Sequence, residues 1–277
     1  MNKKVQNLVT DYVSYWKQMT DLRQSEAPFI HPADKSYFQE NIDKWFLRKD
    51  LVHYNDITDS TKIHLDLLPA PYIGDIMNAK VVIFMGNPGV DNPKLKLQPA
   101  EYEDHYNNSL VWDALVATLH QDFSSDKMMN YPYFFFNPQL SHTAGGRYDT
   151  TMYRRLIEDI DSKGLDGRRL LAKNICKFQL FPYHSARKPS IKLVKNTPSY
   201  KKNLEFMSSF LKDTSAQEDM LFIVTRGHSE IQAFLPRQKN VFYFIDVDRG
   251  ASSAAQRRFY HLIGERLIRH ILDYGVN

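Results

Sequence analysis

The sequence feature that most constrains the fold is a short apolar run that ends in a tight turn. Val81–Met85 reads Val-Val-Ile-Phe-Met, and Gly86-Asn87-Pro88-Gly89 follows it directly. Such a run predicts a buried strand, and Gly-Asn-Pro-Gly predicts a stiff turn. Because ligands bind at the carboxyl ends of strands in open α/β sheets, we expect Asn87 at the mouth of a cleft. An amide there can hold a water or read a substrate edge. The alternative is a residue that only caps its own turn.

The cysteine count and the hydropathy narrow the class of protein. Among 277 residues, Cys176 is the single cysteine, which excludes a disulfide framework, a cysteine zinc site and a cysteine-held iron–sulfur cluster. No apolar run approaches the roughly 20 residues that span a bilayer. We therefore expect a cytoplasmic monomer that binds neither membrane nor metal and uses no cofactor.

Apolar spacing divides the chain into two parts. Residues 1–65 have helical spacing from Val5 to Trp16 and again over Ala33–Leu47, which predicts a helical extension. Residues 66–277 alternate strands with helices, which predicts an α/β domain: three α/β/α layers around a four-stranded parallel sheet. The predicted strands are Val81–Met85, Ile175–Phe181, Leu221–Thr225 and Val241–Ile245, and the aromatic run Tyr133–Phe136 is expected to be a further core strand.

Polar residues follow each of the predicted strands. Because right-handed crossovers bring the carboxyl ends of parallel strands to one edge, we expect these residues to collect there. They are Asn87 and Asp91 after the first strand, Tyr183-His184-Ser185 after the second, Arg226-Gly-His228-Ser229 after the third, and Asp246-Val-Asp248-Arg249 after the fourth.

Positive charge is concentrated between Ala186 and Asn203. This stretch holds Arg187, Lys188, Lys192, Lys195, Lys201 and Lys202 and no acidic residue, in a chain of net charge +4. A run of this kind is typical of a phosphate-contacting edge, and equally of a solvated loop.

Several of these motifs together resemble the uracil-DNA glycosylase superfamily. They are Pro69-Ala-Pro-Tyr72-Ile-Gly74-Asp75, the strand that follows, and the Gly86-Asn87-Pro88-Gly89 turn, which is most similar to the mismatch-specific branch. The resemblance covers roughly residues 66–270. It implies that Asn87 positions the attacking water. It also implies that the last loop, Asp248 to Ser253, enters the minor groove beside a flipped nucleotide.

The chain departs from the family at two positions that matter for the choice of base. The family commonly has a His-Pro-Ser loop after the last strand, where this chain has Asp246-Val-Asp248-Arg249. A uracil reader usually presents an asparagine from the middle strand, where this chain has Phe181-Pro-Tyr183-His184-Ser185. These changes suit a base other than uracil. Some bacterial members defend against phage by removing hypermodified cytosines such as glucosylated hydroxymethylcytosine, and this chain is compatible with that group.

Base excision assigns a role to each candidate residue. Glycosidic cleavage passes through a cationic sugar while negative charge leaves on the base, so the site needs a held water, an aromatic face and hydrogen-bond donors. We expect Asn87, Asp91 and His184 to be catalytic, with Asp91 stabilising the cation and His184 or His228 donating to the base. The residues expected to contact the base are Gly86, Phe178, Phe181, Tyr183 and His228, and those expected to contact DNA are Arg187, Lys188, Arg226, Arg249 and Ser252.

The function predicted from the sequence is that of a monofunctional DNA glycosylase that excises a non-standard base and leaves an abasic site. Two alternatives stay open. One is a hydrolase of free nucleotides or nucleosides, and the other is a nucleic-acid-binding module that keeps the fold without the reaction.

Overall fold

The protein is an α/β structure with a mixed five-stranded central sheet. The computed structural model describes residues 3–19, 28–40, 45–46, 63–65, 67–89, 109–185, 189–214, 219–225, 231, 240–243, 257 and 259–275. The strands of the sheet are β3 (Tyr72–Ile73), β4 (Val81–Met85), β5 (Ile175–Gln179), β6 (Leu221–Val224) and β7 (Val241–Tyr243), and a separate two-stranded pair is formed by β1 (Trp45–Phe46) and β2 (Ile63–His64).

The strand order in the central sheet is β3-β5-β4-β6-β7. Strand β4 pairs in parallel with β5 and β6, and β6 pairs in parallel with β7. The prediction of a four-stranded sheet was incomplete, because β3 adds an antiparallel edge strand beside β5. Strand β3 is only two residues long. It is followed by Gly74, whose φ of 107° lies in the left-handed region. A strand this short leaves no periodic pattern in the sequence.

Ten α-helices surround the strands in the part of the chain that the structure describes. The predicted helix over Ala33–Leu47 is wrong at Trp45 and Phe46, which form β1. The predicted core strand Tyr133–Phe136 is also wrong, because Phe134–Phe136 is a buried 3₁₀ turn. The helices are α1 (Lys3–Lys17), α2 (Lys35–Glu40), α3 (Ser109–His120), α4 (Asp126–Met129), α5 (Ala144–Met152), α6 (Arg154–Asp161), α7 (Gly167–Asn174), α8 (Ile191–Val194), α9 (Pro198–Thr214) and α10 (Glu265–Tyr274), the last preceded by a π-helical turn at Tyr260–Gly264.

Each face of the central sheet is covered by a separate hydrophobic cluster. Successive side chains of a strand point to opposite faces, and β4 and β6 are buried on both. One face, which we call the α9 face, carries Val82, Phe84, Phe178 and Phe222 against α1 and α9. The other, the α6 face, carries Val81, Ile83, Ile175 and Leu221 against α6, α7 and α10.

Helix α1 belongs to the core of the α9 face. Its residues Val5, Val9, Tyr12 and Trp16 are each at most 1% exposed, and the Tyr12 ring stacks on Phe206 of α9 with centroids 3.8 Å apart. The first part of the predicted 1–65 extension therefore contributes directly to the packing of the sheet. None of the described helices is long and apolar enough to cross a membrane.

Candidate active site at the carboxyl edge of the sheet

The strand order predicts a ligand-binding crevice between the carboxyl ends of β4 and β6. The chain leaves β4 toward β5 on one side of the sheet, whereas it leaves β6 toward β7 on the other. A reversal of this kind is where open α/β sheets bind ligands. Asn87 lies two residues beyond β4, and Thr225, just after β6, donates from its backbone N–H to the Phe84 carbonyl at 3.1 Å. The topology thus places Asn87 beside the crevice.

The amide of Asn87 is held in one orientation. Its Nδ2 donates to the Pro88 carbonyl at 2.9 Å and to Ser185 Oγ at 2.8 Å. Because a carbonyl oxygen can only accept, the nitrogen must face Pro88 and Oδ1 must point the other way. Oδ1 accepts no hydrogen bond from the described residues, and the residue is 7% exposed. Asn87 therefore caps its own turn with one atom and leaves an acceptor for a ligand or a water.

The turn that carries Asn87 is fastened to the segment after β5. Leu180 N–H donates to the Met85 carbonyl at 3.0 Å, and Phe181 N–H donates to the Gly86 carbonyl at 2.8 Å. These bonds extend the parallel ladder beyond the strand ends, so Gly86 has a backbone role in this ladder. Because these bonds join the Asn87 turn to the segment after β5, the position of Asn87 depends on the position of residues 179–185.

The His184 ring lies between the Asn87 turn and the segment that contains Leu68. Its Nδ1 lies 3.0 Å from the Gly89 carbonyl and its Nε2 lies 3.2 Å from the Leu68 carbonyl. Burial lowers the pKa of His184, although the two carbonyl contacts act in the opposite direction. A neutral imidazole carries one N–H, so His184 donates to only one of these two carbonyls, and its role as a proton donor to the base stays a prediction.

His64 lies beside His184 in the same part of the structure. The His64 backbone N–H donates to the His184 carbonyl at 2.9 Å. Burial, together with the neighbouring His184, lowers the pKa of His64 to about 3. The His64 side chain, 2% exposed, is therefore a neutral imidazole at physiological pH.

The three aromatic residues predicted to contact the base are buried in the core. Phe178 is completely buried against Phe84 and Phe206, on the α9 face. Phe181 is 2% exposed in the same cluster. Tyr183 is also fully buried, and its hydroxyl donates to Asp34 Oδ2 at 2.6 Å. These rings face the core because the end of β5 is covered by α1, α2 and α9.

The other predicted site residues lie outside the described residues. They are Asp91 after the asparagine turn, Arg187 and Lys188 of the basic run, Arg226 and His228 after β6, and Arg249 and Ser252 of the last loop.

A buried amide that the sequence analysis missed lies at the end of β5. Gln179 pairs with Met85 in the sheet, and it is 4% exposed. Its Oε1 has no hydrogen-bond partner among the described residues, and its Nε2 is 4.0 Å from Met85 Sδ, a weak contact. Leaving a buried acceptor unsatisfied costs about 1–3 kcal/mol. A polar residue ending a strand that is otherwise apolar, apart from Lys177, was the available signal.

A buried ion pair lies on the same face of β5, two residues before Gln179. Lys177 Nζ is 2.5 Å from Asp149 Oδ1, with the side chains 6% and 2% exposed. Tyr133 donates its hydroxyl to the other carboxylate oxygen at 2.8 Å, and the Lys177 ammonium lies 5.0 Å from the centre of the Tyr133 ring. The ion pair with Asp149 holds the Lys177 ammonium short of the carboxyl end of β5 and neutralises its charge.

Comparisons with known proteins do not assign the chain to a family. No family description, no curated protein and no solved structure matches it. Within the described residues, no group of three or more histidine, cysteine, aspartate or glutamate side chains is arranged to hold a metal ion.

Proposed function

We propose that this protein is a monofunctional DNA glycosylase of the uracil-DNA glycosylase superfamily that flips a modified base, hydrolyses its N-glycosidic bond and leaves an abasic site. The observation that carries the proposal is the Asn87 amide: its Nδ2 donates to Pro88 and Ser185, while its Oδ1 accepts no hydrogen bond from the residues that the structure describes. The proposal includes a three-layer α/β/α arrangement whose four parallel strands present this edge to DNA.

The proposed reaction requires positioning more than a strong base. A water held by Asn87 Oδ1 attacks C1′ as the C1′–N bond breaks, the bonding electrons leave with the base, and the proton that the water loses passes through solvent to the departing base. An amide carbonyl suffices because the cationic sugar is a strong electrophile. Lys177, the lysine nearest the strand end in β5, is paired with Asp149, which supports hydrolysis rather than attack by an amine.

Gln179 is proposed to face the edge of the flipped base. A buried acceptor without a partner is stabilised when a ligand supplies a donor, and the exocyclic amine of a cytosine is such a donor. We propose a phage-type modified cytosine, such as glucosylated hydroxymethylcytosine, as the target, with antiviral defence in the cytoplasm as the role.

The test is a panel of end-labelled duplexes that each contain one modified cytosine, one uracil or one thymine mismatch, scored for alkali-labile sites. Asn87→Ala should lower the excision rate by about 10²-fold or more, because the water loses its anchor, while binding of the same duplex persists. Asn78→Ala is the matched control, since Asn78 is an exposed asparagine before the amino end of β4.

The outcomes separate the alternatives. Excision by the parent and by Asn78→Ala but not by Asn87→Ala supports the proposal. DNA binding without excision of any base would indicate a binding module. Release of bases from free nucleotides, with no dependence on DNA, would indicate a nucleotide hydrolase. Cleavage of other modified duplexes but not of glucosylated ones would remove the proposed target only.

A further inference from the structure

A fully hydrogen-bonded asparagine behind the candidate site connects the first helix to the end of β5. Asn203 of α9 is completely buried. Its Nδ2 donates to the Gln179 carbonyl at 2.9 Å and to the Leu180 carbonyl at 3.3 Å. Its Oδ1 accepts from Tyr12 Oη–H at 2.8 Å and from Trp16 Nε1–H at 3.2 Å. Two donors and two acceptor positions are the full capacity of an amide.

The two carbonyls that Asn203 binds lie beyond the paired residues of β3, which stand opposite Phe178 and Lys177. Gln179 N–H still donates to the Pro71 carbonyl at 2.8 Å, but a proline has no N–H to donate back to the Gln179 carbonyl. Buried carbonyls need partners. Asn203 supplies both from the α9 face, while the Gln179 side chain contacts Met85 on the α6 face.

From this arrangement we infer that Tyr12, Trp16 and Asn203 form a brace that positions the catalytic edge, so that α1 is part of the active-site machinery as well as of the core. Asn203 and Tyr12 are positioning residues, because neither reaches the crevice. The brace holds the carbonyls of Gln179 and Leu180, and the N–H groups of Leu180 and Phe181 hold the Asn87 turn by donating to Met85 and Gly86. The catalytic part of this inference rests on the proposed function.

The experiment compares two buried tyrosines in one aromatic cluster. Tyr12→Phe removes the bond to Asn203, and Tyr72→Phe removes a bond of similar length, 2.9 Å, to the Leu119 carbonyl. Both tyrosines are at most 1% exposed, and their ring centres are 5.5 Å apart. Each variant therefore loses one buried tyrosine hydroxyl and its hydrogen bond, but only Tyr12→Phe removes a bond of the brace.

Two readouts are measured on the full-length protein. The first is amide hydrogen exchange at Leu180 and Phe181, which should become about fivefold faster in Tyr12→Phe than in Tyr72→Phe, the equivalent of one net hydrogen bond. The second is excision from the duplex that the parent cleaves, for which kcat should fall about fivefold in Tyr12→Phe with KM unchanged. A merely structural role would change both variants alike.

Each result decides the inference. Equal exchange and equal kcat in the two variants would overturn the brace, and so would a change in KM alone. If the parent cleaves no duplex, the glycosylase proposal fails while the exchange measurement still decides whether the brace holds residues 179–181. Because Asn203→Ala removes four bonds at once and endangers folding, the conservative tyrosine change is the deciding variant.

Discussion

At the scale of the residue, three buried side-chain amides differ in how many of their hydrogen-bonding atoms have a partner in the protein. Asn203 has every donor and acceptor filled. In the part of the chain that the structure describes, both donors of Asn87 are bonded while its oxygen has no donor, and the side-chain oxygen of Gln179 has no partner. Since buried polar groups are normally satisfied, the first amide is explained by the fold alone. The other two, both at the carboxyl edge, are explained better by a ligand.

The buried His64 predicts a dependence of stability on pH. Its pKa of about 3 in the folded protein lies below the ordinary value near 6.5. Between these values the unfolded chain binds a proton that the folded protein does not, so stability falls as the pH drops below about 6.5 and is unaffected above it. The slope approaches about 1.4 kcal/mol per pH unit. Urea unfolding at pH 7.5 and pH 5.0 should show a loss of about 2 kcal/mol from this residue.

The control for this prediction is an exposed histidine. His142→Gln should leave the pH dependence as it is in the parent, because His142 is exposed after Pro138–Leu140. His64→Gln should reduce the slope between pH 6.5 and pH 5. An unchanged slope in His64→Gln would show that other groups cause the acid sensitivity.

At the scale of the element, α5 shows how a helix start constrains its glycines. Thr143 caps the helix by accepting from the Gly146 N–H at 3.0 Å. A Cβ at Gly146 would lie 2.0 Å from the Leu140 backbone carbonyl, whereas a Cβ at Gly145 would lie 2.2 Å from the far end of the Phe135 ring. The half-buried Phe135 ring can rotate away from an added Cβ. The Leu140 carbonyl is part of the backbone and accepts from the Thr143 hydroxyl, so it cannot move without disturbing that hydrogen bond. The turn before α5 therefore depends on Gly146.

Two alanine substitutions test this difference. Gly146→Ala should lower the free energy of unfolding by about 1–3 kcal/mol, the usual cost of overpacking. Gly145→Ala should cost less, because the gain of about 0.5–1 kcal/mol in helix propensity offsets the ring movement. Thermal unfolding of both variants measures the effect. A larger loss at Gly145 would contradict the explanation.

The elements that could be predicted are those with a strong apolar pattern. The β4 and β6 runs are β-branched and apolar, and the turn after β4 follows from its glycines and proline. Strand β5 was predicted, but the face of the sheet on which each of its side chains lies could not be, because every residue from Ile175 to Gln179 is buried. A strand buried on both faces carries no alternation, so the sequence did not show that Phe178 faces the core or that Gln179 marks the edge. The 3₁₀ turn at Phe134–Phe136 was missed for a similar reason.

At the scale of the whole molecule, exposed lysines lie near the proposed DNA-binding edge. Lys192, Lys195 and Lys201 are exposed in and around α8 and the start of α9. This region is tied to the loop after β5, because Asp34 accepts from both the Ser199 N–H and the Tyr183 hydroxyl. In a chain of net charge +4, we propose that these lysines contact the phosphates that flank an everted nucleotide.

Salt dependence tests this arrangement. Each phosphate contact releases condensed counterions, so affinity for duplex DNA should fall with salt with a log–log slope of about −0.9 per contact. The variant Lys192→Ala/Lys195→Ala should make the slope less steep by about 2, whatever the base in the duplex. Lys173→Ala is the control, since Lys173 is exposed next to the amino end of β5. An identical slope in the double variant would place the DNA elsewhere.

The bond between Tyr12 and Asn203 joins residues 191 positions apart. At a synthesis rate of roughly 5–20 residues per second, α1 leaves the ribosome about 10–40 s before its partner helix. During that interval the apolar stripe of α1 is without its partner α9, so we expect the nascent chain to be a client of chaperones. The same delay means that the carbonyls of Gln179 and Leu180 are without their Asn203 partner until α9 has emerged.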